Sequence, residues 1–189
     1  MASEDAERWN RRYRTAYYHG GTQPRAILER ALPYISKNGL ILDLAMGLGG
    51  NARWLIDRDY QVFGVDVSRE AVFQAKKNCP KLMAVIGDLN EYNFPDKTFS
   101  TIINFYFLDR KIIKDFPRIL QPKGVAIVET LTVDMLEIKP DLPADYLLQK
   151  GELIDLFAGW NIFEYQEGWR TSARGGKKSV ASLIGGLPD

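Results

Sequence analysis

The stretch LILDLAMGLGGNARWL, from Leu40 to Leu55, runs an apolar strand-like segment into three glycines and then into a helical segment. A strand that enters a helix through bare backbone constrains the chain more than any other feature. The strand must be layered against its helix, and the glycines mark a place where the turn approaches something closely. The same alternation continues downstream. QVFGVDV (61–67) precedes REAVFQAKKN, LMAVIGD (82–88) follows it, TIINFYF (101–107) leads into DRKIIKDFPRIL, and GVAIVETLT (124–132) closes the series. These strands are rich in Val, Ile and Leu without clean polar alternation, which predicts burial on both faces of a parallel sheet. After the Pro-rich IKPDLPADY come a short helix, GELIDLFAG, and two more strands, WNIFEYQE and KSVASLIG, read as a hairpin that places an antiparallel strand at the sheet edge. The expectation is an α/β fold with a doubly wound, mostly parallel, seven-stranded sheet and a C-terminal antiparallel hairpin strand.

A chain of 189 residues is long enough to bury a core and too short for a cofactor domain plus a separate catalytic domain. It reads as a single domain over 1–189, with residues 1–38 as an N-terminal helical lid or substrate segment broken at HGGTQPR, and residues 39–189 as the core. Charges nearly cancel at a formal +1, so no global field points to nucleic acid or to an anionic membrane. One cysteine, Cys79, excludes an internal disulfide. With a single histidine, His19, it also leaves no zinc set, and no metal is expected. The polar start and the lack of a long apolar run are read as a cytoplasmic protein, a monomer or weak homodimer acting on a small molecule.

GLGGNA (47–52) fits the G-x-G-x-x-G/A fingerprint at the joint where that fingerprint belongs. Asp66 ends the second strand, 19 positions beyond Gly47, where a carboxylate can accept from both ribose hydroxyls; its alternative is a helix cap, a role that suits Ser68 better. Two further acids separate the cofactor classes. Asp43, at the base of the loop, would repel the pyrophosphate of a nicotinamide cofactor. It would favour the ammonium and sulfonium of S-adenosylmethionine, by attraction or by ordering the loop amides. Asp88, after the third strand, can accept from an adenine amino group while the Leu89 amide donates to the ring, or it can simply form an Asp-Leu-Asn turn.

Asp43-Leu-Ala-Met-Gly47-Leu-Gly49, with Asp66 and Asp88 at successive strand ends, resembles the class I S-adenosylmethionine-dependent methyltransferases over residues 35 to 132. WNRRY (9–13), NFYFLDR (104–110), ETLT (129–132) and DYLLQKGELIDLF (145–157) resemble the bacterial tellurite-resistance and thiopurine-methyltransferase-like branch. The resemblance implies S-adenosyl-L-methionine as cofactor. It also places Ala45 and Gly47 at the methionyl part, Asp66 at the ribose, Val67 on the adenine face, Asp88 and Leu89 at the adenine edge, and Asn104 beside the sulfonium. Ala45 departs from the family motif, which usually has glycine there. At the level of the branch, a thiol, selenium or tellurium compound is implied as acceptor. A nicotinamide-dependent oxidoreductase and a non-catalytic S-adenosylmethionine-binding module are the alternatives.

Methyl transfer is an in-line displacement that requires alignment and exclusion of water, so no obligatory catalytic residue follows. NFYF lacks the prolines of the Asn-Pro-Pro-Tyr motif used on base amino groups. Trp9, Arg12 and Tyr13 lie within one helical turn of each other and could close over the cofactor carboxylate or the substrate, or could be one face of a packed helix. Tyr106 and Asp109 border the cleft, although Asp109 could instead cap the following helix. His19 is a conceivable general base, with a plain loop histidine as its alternative. Arg170, Arg174, Lys177 and Lys178 form a hairpin tip that could attract an acidic substrate.

Overall fold

A computed structural model describes residues 2–15, 22–171 and 175–188. Among the described residues seven strands form one sheet in the order β3-β2-β1-β4-β5-β7-β6. They are β1 (Leu40–Leu44), β2 (Gln61–Asp66), β3 (Met83–Ile86), β4 (Phe99–Phe105), β5 (Leu120–Leu131), β6 (Asn161–Thr171) and β7 (Lys177–Gly186). The first five pair in parallel, with Leu44 beside Val65 on one side and beside Asn104 on the other. β7 runs antiparallel to both β5 and β6. The antiparallel strand therefore lies one place in from the edge that β6 forms. Burial explains the exchange: β7 is buried from Ser179 to Gly186, whereas β6 is mostly exposed or half-buried, so the more apolar strand takes the inner position.

The helices are α1 (Ala2–Arg14), α2 (Ile27–Ala31), α3 (Gly50–Ile56), α4 (Arg69–Asn78), α5 (Arg110–Ile119) and α6 (Glu152–Leu156). Their starts follow from local chemistry. Ser68 caps α4 by accepting from the Ala71 amide, and Asp109 caps α5 by accepting from the Lys111 and Ile112 amides at 2.7 and 3.0 Å. Gly49 opens α3 from a left-handed conformation, φ +72°.

The pleat of β1 shows how the two faces are built. Ile41 joins Val62, Ile103 and Ile127 under Ala52 and Leu55 of α3 and Val72 and Ala75 of α4. Leu42 and Leu44 join Ile102 and Val128 against Ile113 and Phe116 of α5 and Leu153 of α6. Both faces are covered, which is why the strands lack polar alternation.

α1 is different, for none of its described side chains enters the buried core. It is seated on α4 by polar contacts. Asn10 Oδ1 accepts from Ser68 Oγ (2.8 Å) and from the Glu70 amide (3.1 Å), Arg14 pairs with Glu70 at 3.1 Å, and Gln74 Nε2 donates to the Tyr13 carbonyl (3.1 Å). No helix among the described residues is long and apolar enough to cross a membrane.

Candidate active site

Parallel pairing brings the carboxyl ends of β1 to β5 to one edge of the sheet, the edge where open α/β sheets bind ligands. A cavity of about 530 Å³ opens there, a size that suits a small-molecule site. Its walls come from the loop after β1 (Ala45, Met46, Gly47), the ends of β2 and β3 (Asp66, Val67, Asp88, Leu89), the end of β4 (Phe105, Tyr106, Phe107) and α1 (Asp5, Trp9, Tyr13).

The loop after β1 takes left-handed backbone conformations at Ala45 (φ +49°), Gly47 (φ +56°) and Gly49 (φ +72°). It is pinned to β2. The Met46 amide donates to the Val65 carbonyl (3.1 Å) and the Gly47 amide to Asp66 Oδ2 (2.7 Å), while Asp66 Oδ1 accepts from the Ser68 amide (2.8 Å). Both Asp66 oxygens thus hold backbone amides. A carboxylate has about four acceptor lobes, so this buried, cavity-lining group keeps capacity for ligand hydroxyls. Burial raises its pKa, and the Ser68 and Gly47 amides oppose that shift.

Asp43 does not reach the cavity wall. It is the carboxylate of Asp66 that takes the Gly47 amide, whereas Asp43 turns under the loop to the Ala52 amide of α3. Its Oδ2 is buried with no partner among the described residues. Burial, and then the neighbouring charge of Asp66, hold its pKa well above the ordinary carboxylate range.

The three glycine-loop positions have different tasks. A Cβ on Gly47 would come within 2.9 Å of the Tyr13 hydroxyl, so this bare position is where α1 closes over the loop. Gly49 instead packs against Ala75 and Leu82, where a Cβ would lie 3.0 Å from the Ala75 side chain, and it does not line the cavity. In β2, Gly64 leaves the space that the Met46 sulfur fills.

Ala45 bears a strain that glycine would not, since left-handed backbone costs an L-residue about 1–2 kcal/mol. Ala45→Gly relieves it and gives back about 0.5–1 kcal/mol in unfolded-state entropy. A net stabilisation of up to about 1 kcal/mol is expected from urea denaturation. A net loss would show that the packing of the Ala45 methyl outweighs the strain.

Asp88 satisfies both of its sequence readings. Oδ1 accepts from the backbone and side-chain nitrogens of Asn90 at 2.9 and 3.0 Å, forming the turn, and the residue still lines the cavity beside Leu89. Asn104 does not reach the cavity. It pairs with Leu44 and Val128, so the pleat directs its side chain to the α5 face, where it is fully buried and neither amide atom has a partner among the described residues. The next three residues, Phe105 to Phe107, line the cavity in its place.

Tyr106 is held in an unusual way. Its φ is +59°, rare for a bulky residue, and Glu129 fixes it twice. The Tyr106 amide donates to the Glu129 carbonyl (2.8 Å), and its hydroxyl donates to Glu129 Oε1 (3.0 Å). Burial and Glu129 push the phenol pKa upward, so the group stays protonated. Cations surround the ring: Arg25 lies 4.3 Å and Lys178 4.8 Å from its centroid, and Arg170 approaches Glu129 at 3.8 Å.

Of the expected acceptor-pocket residues, Trp9 and Tyr13 line the cavity with rings 5.7 Å apart, as does Tyr106. Arg12 does not: it is exposed, with its guanidinium 5.2 Å from the Trp9 ring centroid. Asp109 is occupied by its cap and does not line the cavity either. His19 and Arg174 lie outside the described residues. Cys79 is buried at the end of α4, away from the cavity. Sequence reasoning missed Arg25, Asn51, Phe105 and Phe107. Arg25 ends HGGTQPR, which the sequence marks only as a break; its amide donates to Asn51 Oδ1 (3.0 Å) in the first turn of α3, and its guanidinium lies over the Tyr106 ring.

Asp5, Asp66, Asp88 and Glu91 line the cavity against one lining cation, Arg25, a balance suited to a positively charged ligand and opposed to a pyrophosphate. The loop, three successive acids and strand order meet a known pattern. The family described as a methyltransferase domain matches residues 41–124. These residues are similar to a methyltransferase domain. They contain the pinned loop and the ends of β1 to β4, and the cofactor of such a domain is S-adenosylmethionine.

Solved structures show that the methyltransferase fold extends beyond the matched residues. An S-adenosylmethionine-dependent methyltransferase from Methanosarcina mazei is similar with a TM-score of 0.69 at 18% identity, over 87% of this chain and 98% of that one. TehB from Haemophilus influenzae gives 0.67 at 19% identity, over 97% of this chain and 67% of that one. Geranyl diphosphate C-methyltransferase from Streptomyces coelicolor A3(2), solved with Mg2+, geranyl diphosphate and S-adenosyl-L-homocysteine, gives 0.71 at 12% identity, over 99% and 98%. A search of curated proteins found no match.

Proposed function

We propose that this chain transfers a methyl group from S-adenosylmethionine to a small-molecule acceptor bound in the aromatic-walled end of the cavity. The observation that carries the reading is the pinned glycine loop with Asp66 bound to it and Asp88 beside it, all at the carboxyl ends of parallel strands. When bound, the cofactor supplies an electrophilic methyl on a sulfonium.

The chain's own residues do the rest. Ala45 and Gly47 offer close backbone approach to the methionyl part, and Asp66 accepts from the ribose hydroxyls through its remaining lone pairs. Val67 and Leu89 cover the adenine, whose amino group donates to Asp88. Asp43 places negative charge beneath the loop, where an ammonium would lie. Trp9, Tyr13, Phe105 and Phe107 exclude water and align the acceptor, and Glu129 keeps the Tyr106 ring in its strained position against that space. α1 serves as the cover of the site, whereas α2, with Ile27, Leu28 and Ala31 in the core, belongs to the body of the domain and not to the lid segment expected over 1–38. For the acceptor atom, a soft nucleophile of the thiol, selenium or tellurium class is the reading that the sequence resemblance and the likeness to TehB support.

Calorimetry tests this directly. S-adenosylmethionine and S-adenosylhomocysteine should bind while NAD does not, and transfer of labelled methyl to a thiol, selenol or oxyanion acceptor should follow. Micromolar NAD binding without any S-adenosyl ligand binding would transfer the site to the oxidoreductase class. Binding without turnover across the acceptor panel would leave a cofactor-binding module.

A further inference from the structure

We infer that Arg25, with the side-chain amide of Asn51, receives the carboxylate of the cofactor's amino-acid tail and so makes the site selective for S-adenosyl ligands that carry that group. The inference rests on the methyltransferase reading and deepens it by giving the tail an anchor.

The charges that line the cavity are sorted by strand. Asp66 ends β2, and Asp88 and Glu91 follow β3, so these acids lie on one side of β1 in the order β3-β2-β1-β4. The remaining acid, Asp5 of α1, is paired with Arg8 at 2.7 Å. Tyr106 follows β4 on the other side of β1, and the Arg25 guanidinium carbon lies 4.3 Å from its ring centroid. Among the described residues Arg25 is the one cation in the cavity wall. Its backbone is held there, because the Arg25 amide donates to Asn51 Oδ1 (3.0 Å) and Asn51 stands in the first turn of α3, directly after the glycine loop. Asn51 is itself buried and lines the cavity. With its oxygen committed to the Arg25 amide, its Nδ2 is the donor it can offer a ligand.

The cofactor is divided in the same sense. Its adenosine is the end that Asp66 and Asp88 accept from, and the sulfur joins that end to an amino-acid tail bearing the molecule's only carboxylate. With the adenosine at β2 and β3, the tail crosses the loop after β1 toward β4. Along the β2 and β3 walls the carboxylate would face like charge, whereas beside Arg25 it meets opposite charge and the N–H donors of two side chains. Arg12, the arginine of α1 that the sequence offers for this group, does not line the cavity. A guanidinium fork also matches a carboxylate in shape, so the contact fixes the direction of the tail as well as its charge.

The test uses the full chain and two ligands that differ by one group, S-adenosylhomocysteine and its decarboxylated form, which keeps the adenosine, the thioether and the amine. By calorimetry the parent should bind S-adenosylhomocysteine about tenfold or more tightly than the decarboxylated ligand. Arg25→Gln should erase that preference while binding the decarboxylated ligand within about twofold of the parent, which also shows that the variant is folded. Arg25→Lys should keep part of the preference, since a point charge lacks the bidentate fork. Asn51→Asp retains an acceptor for the Arg25 amide and replaces the donor by an oxygen, so it should weaken S-adenosylhomocysteine more than the decarboxylated ligand. Equal affinity of the parent for the two ligands would overturn the inference, and so would a preference that survives Arg25→Gln. Loss of both ligands in Arg25→Gln and Arg25→Lys alike would overturn it too, giving Arg25 a structural part through the Tyr106 ring. Failure of the parent to bind either ligand would instead sink the methyltransferase reading beneath it.

Discussion

Asp66→Ala is expected to weaken S-adenosylhomocysteine binding about ten- to a hundredfold, because hydroxyls bonded to a charged acceptor contribute ~1.5–3 kcal/mol. The structure adds a second consequence. Asp66 also satisfies the Gly47 and Ser68 amides, so the alanine variant leaves two buried donors unmet, at about 1–3 kcal/mol each. Thermal unfolding should then move down by several degrees, at about 2–4 °C per kcal/mol for a chain of this size. Asp66→Asn separates the two effects. Its amide oxygen can still accept one backbone N–H, so it should recover part of the stability and less of the affinity. An alanine variant as tight and as stable as the parent would remove Asp66 from both the ribose and the loop.

Asp43→Asn should act in opposite directions on stability and on binding. Above its raised pKa the ionised carboxylate is buried beside Asp66 with one oxygen unpartnered, so neutralising it should stabilise the free protein by about 1–3 kcal/mol in that pH range. The cofactor's positive groups lose a nearby charge, and S-adenosylhomocysteine affinity should fall. The pH dependence fixes the assignment. The folded-state pKa is raised, so between the ordinary carboxylate value and that raised value the folded protein binds more protons than the unfolded chain. Stability therefore declines as pH rises through this window, and the decline should be shallower in Asp43→Asn. The stabilisation should vanish at acid pH, where Asp43 is already protonated. Below that raised value, where Asp43 is protonated in the free protein, cofactor binding should release protons, seen as a binding heat that depends on the buffer. A variant less stable than the parent at all pH values would show that Asp43 is a structural acceptor for Ala52 and little else.

The sheet and the adenosine half of the site were legible because each rests on a local rule. Val- and Ile-rich runs set the strands, the glycines set the turn, and Asp66 and Asp88 follow strand ends that the sequence marks clearly. The other half was less legible, for two physical reasons. The first is pleat phase: Asn104 and Tyr106 are two residues apart, yet a left-handed residue after the strand breaks the alternation, sending one into the α5 face and the other to the cavity. The second is distance in sequence. Arg25, Glu129 and Lys178 meet only when α2, β5 and β7 are assembled, and no spacing in the chain announces that meeting. Asp109 was ambiguous for a different reason, because a cap and a cleft residue occupy the same position after a strand.

Gly64 sits in the middle of β2, yet the space it leaves is filled by the sulfur of Met46, which forms part of the cavity wall. Any side chain at position 64 would displace the Met46 sulfur and so disturb the cavity wall, and an interior substitution there would present as a binding defect. A laboratory selection for altered ligand size has, in that one hydrogen, a dial for pocket volume set behind the wall, where no direct contact to the ligand is lost when it is turned.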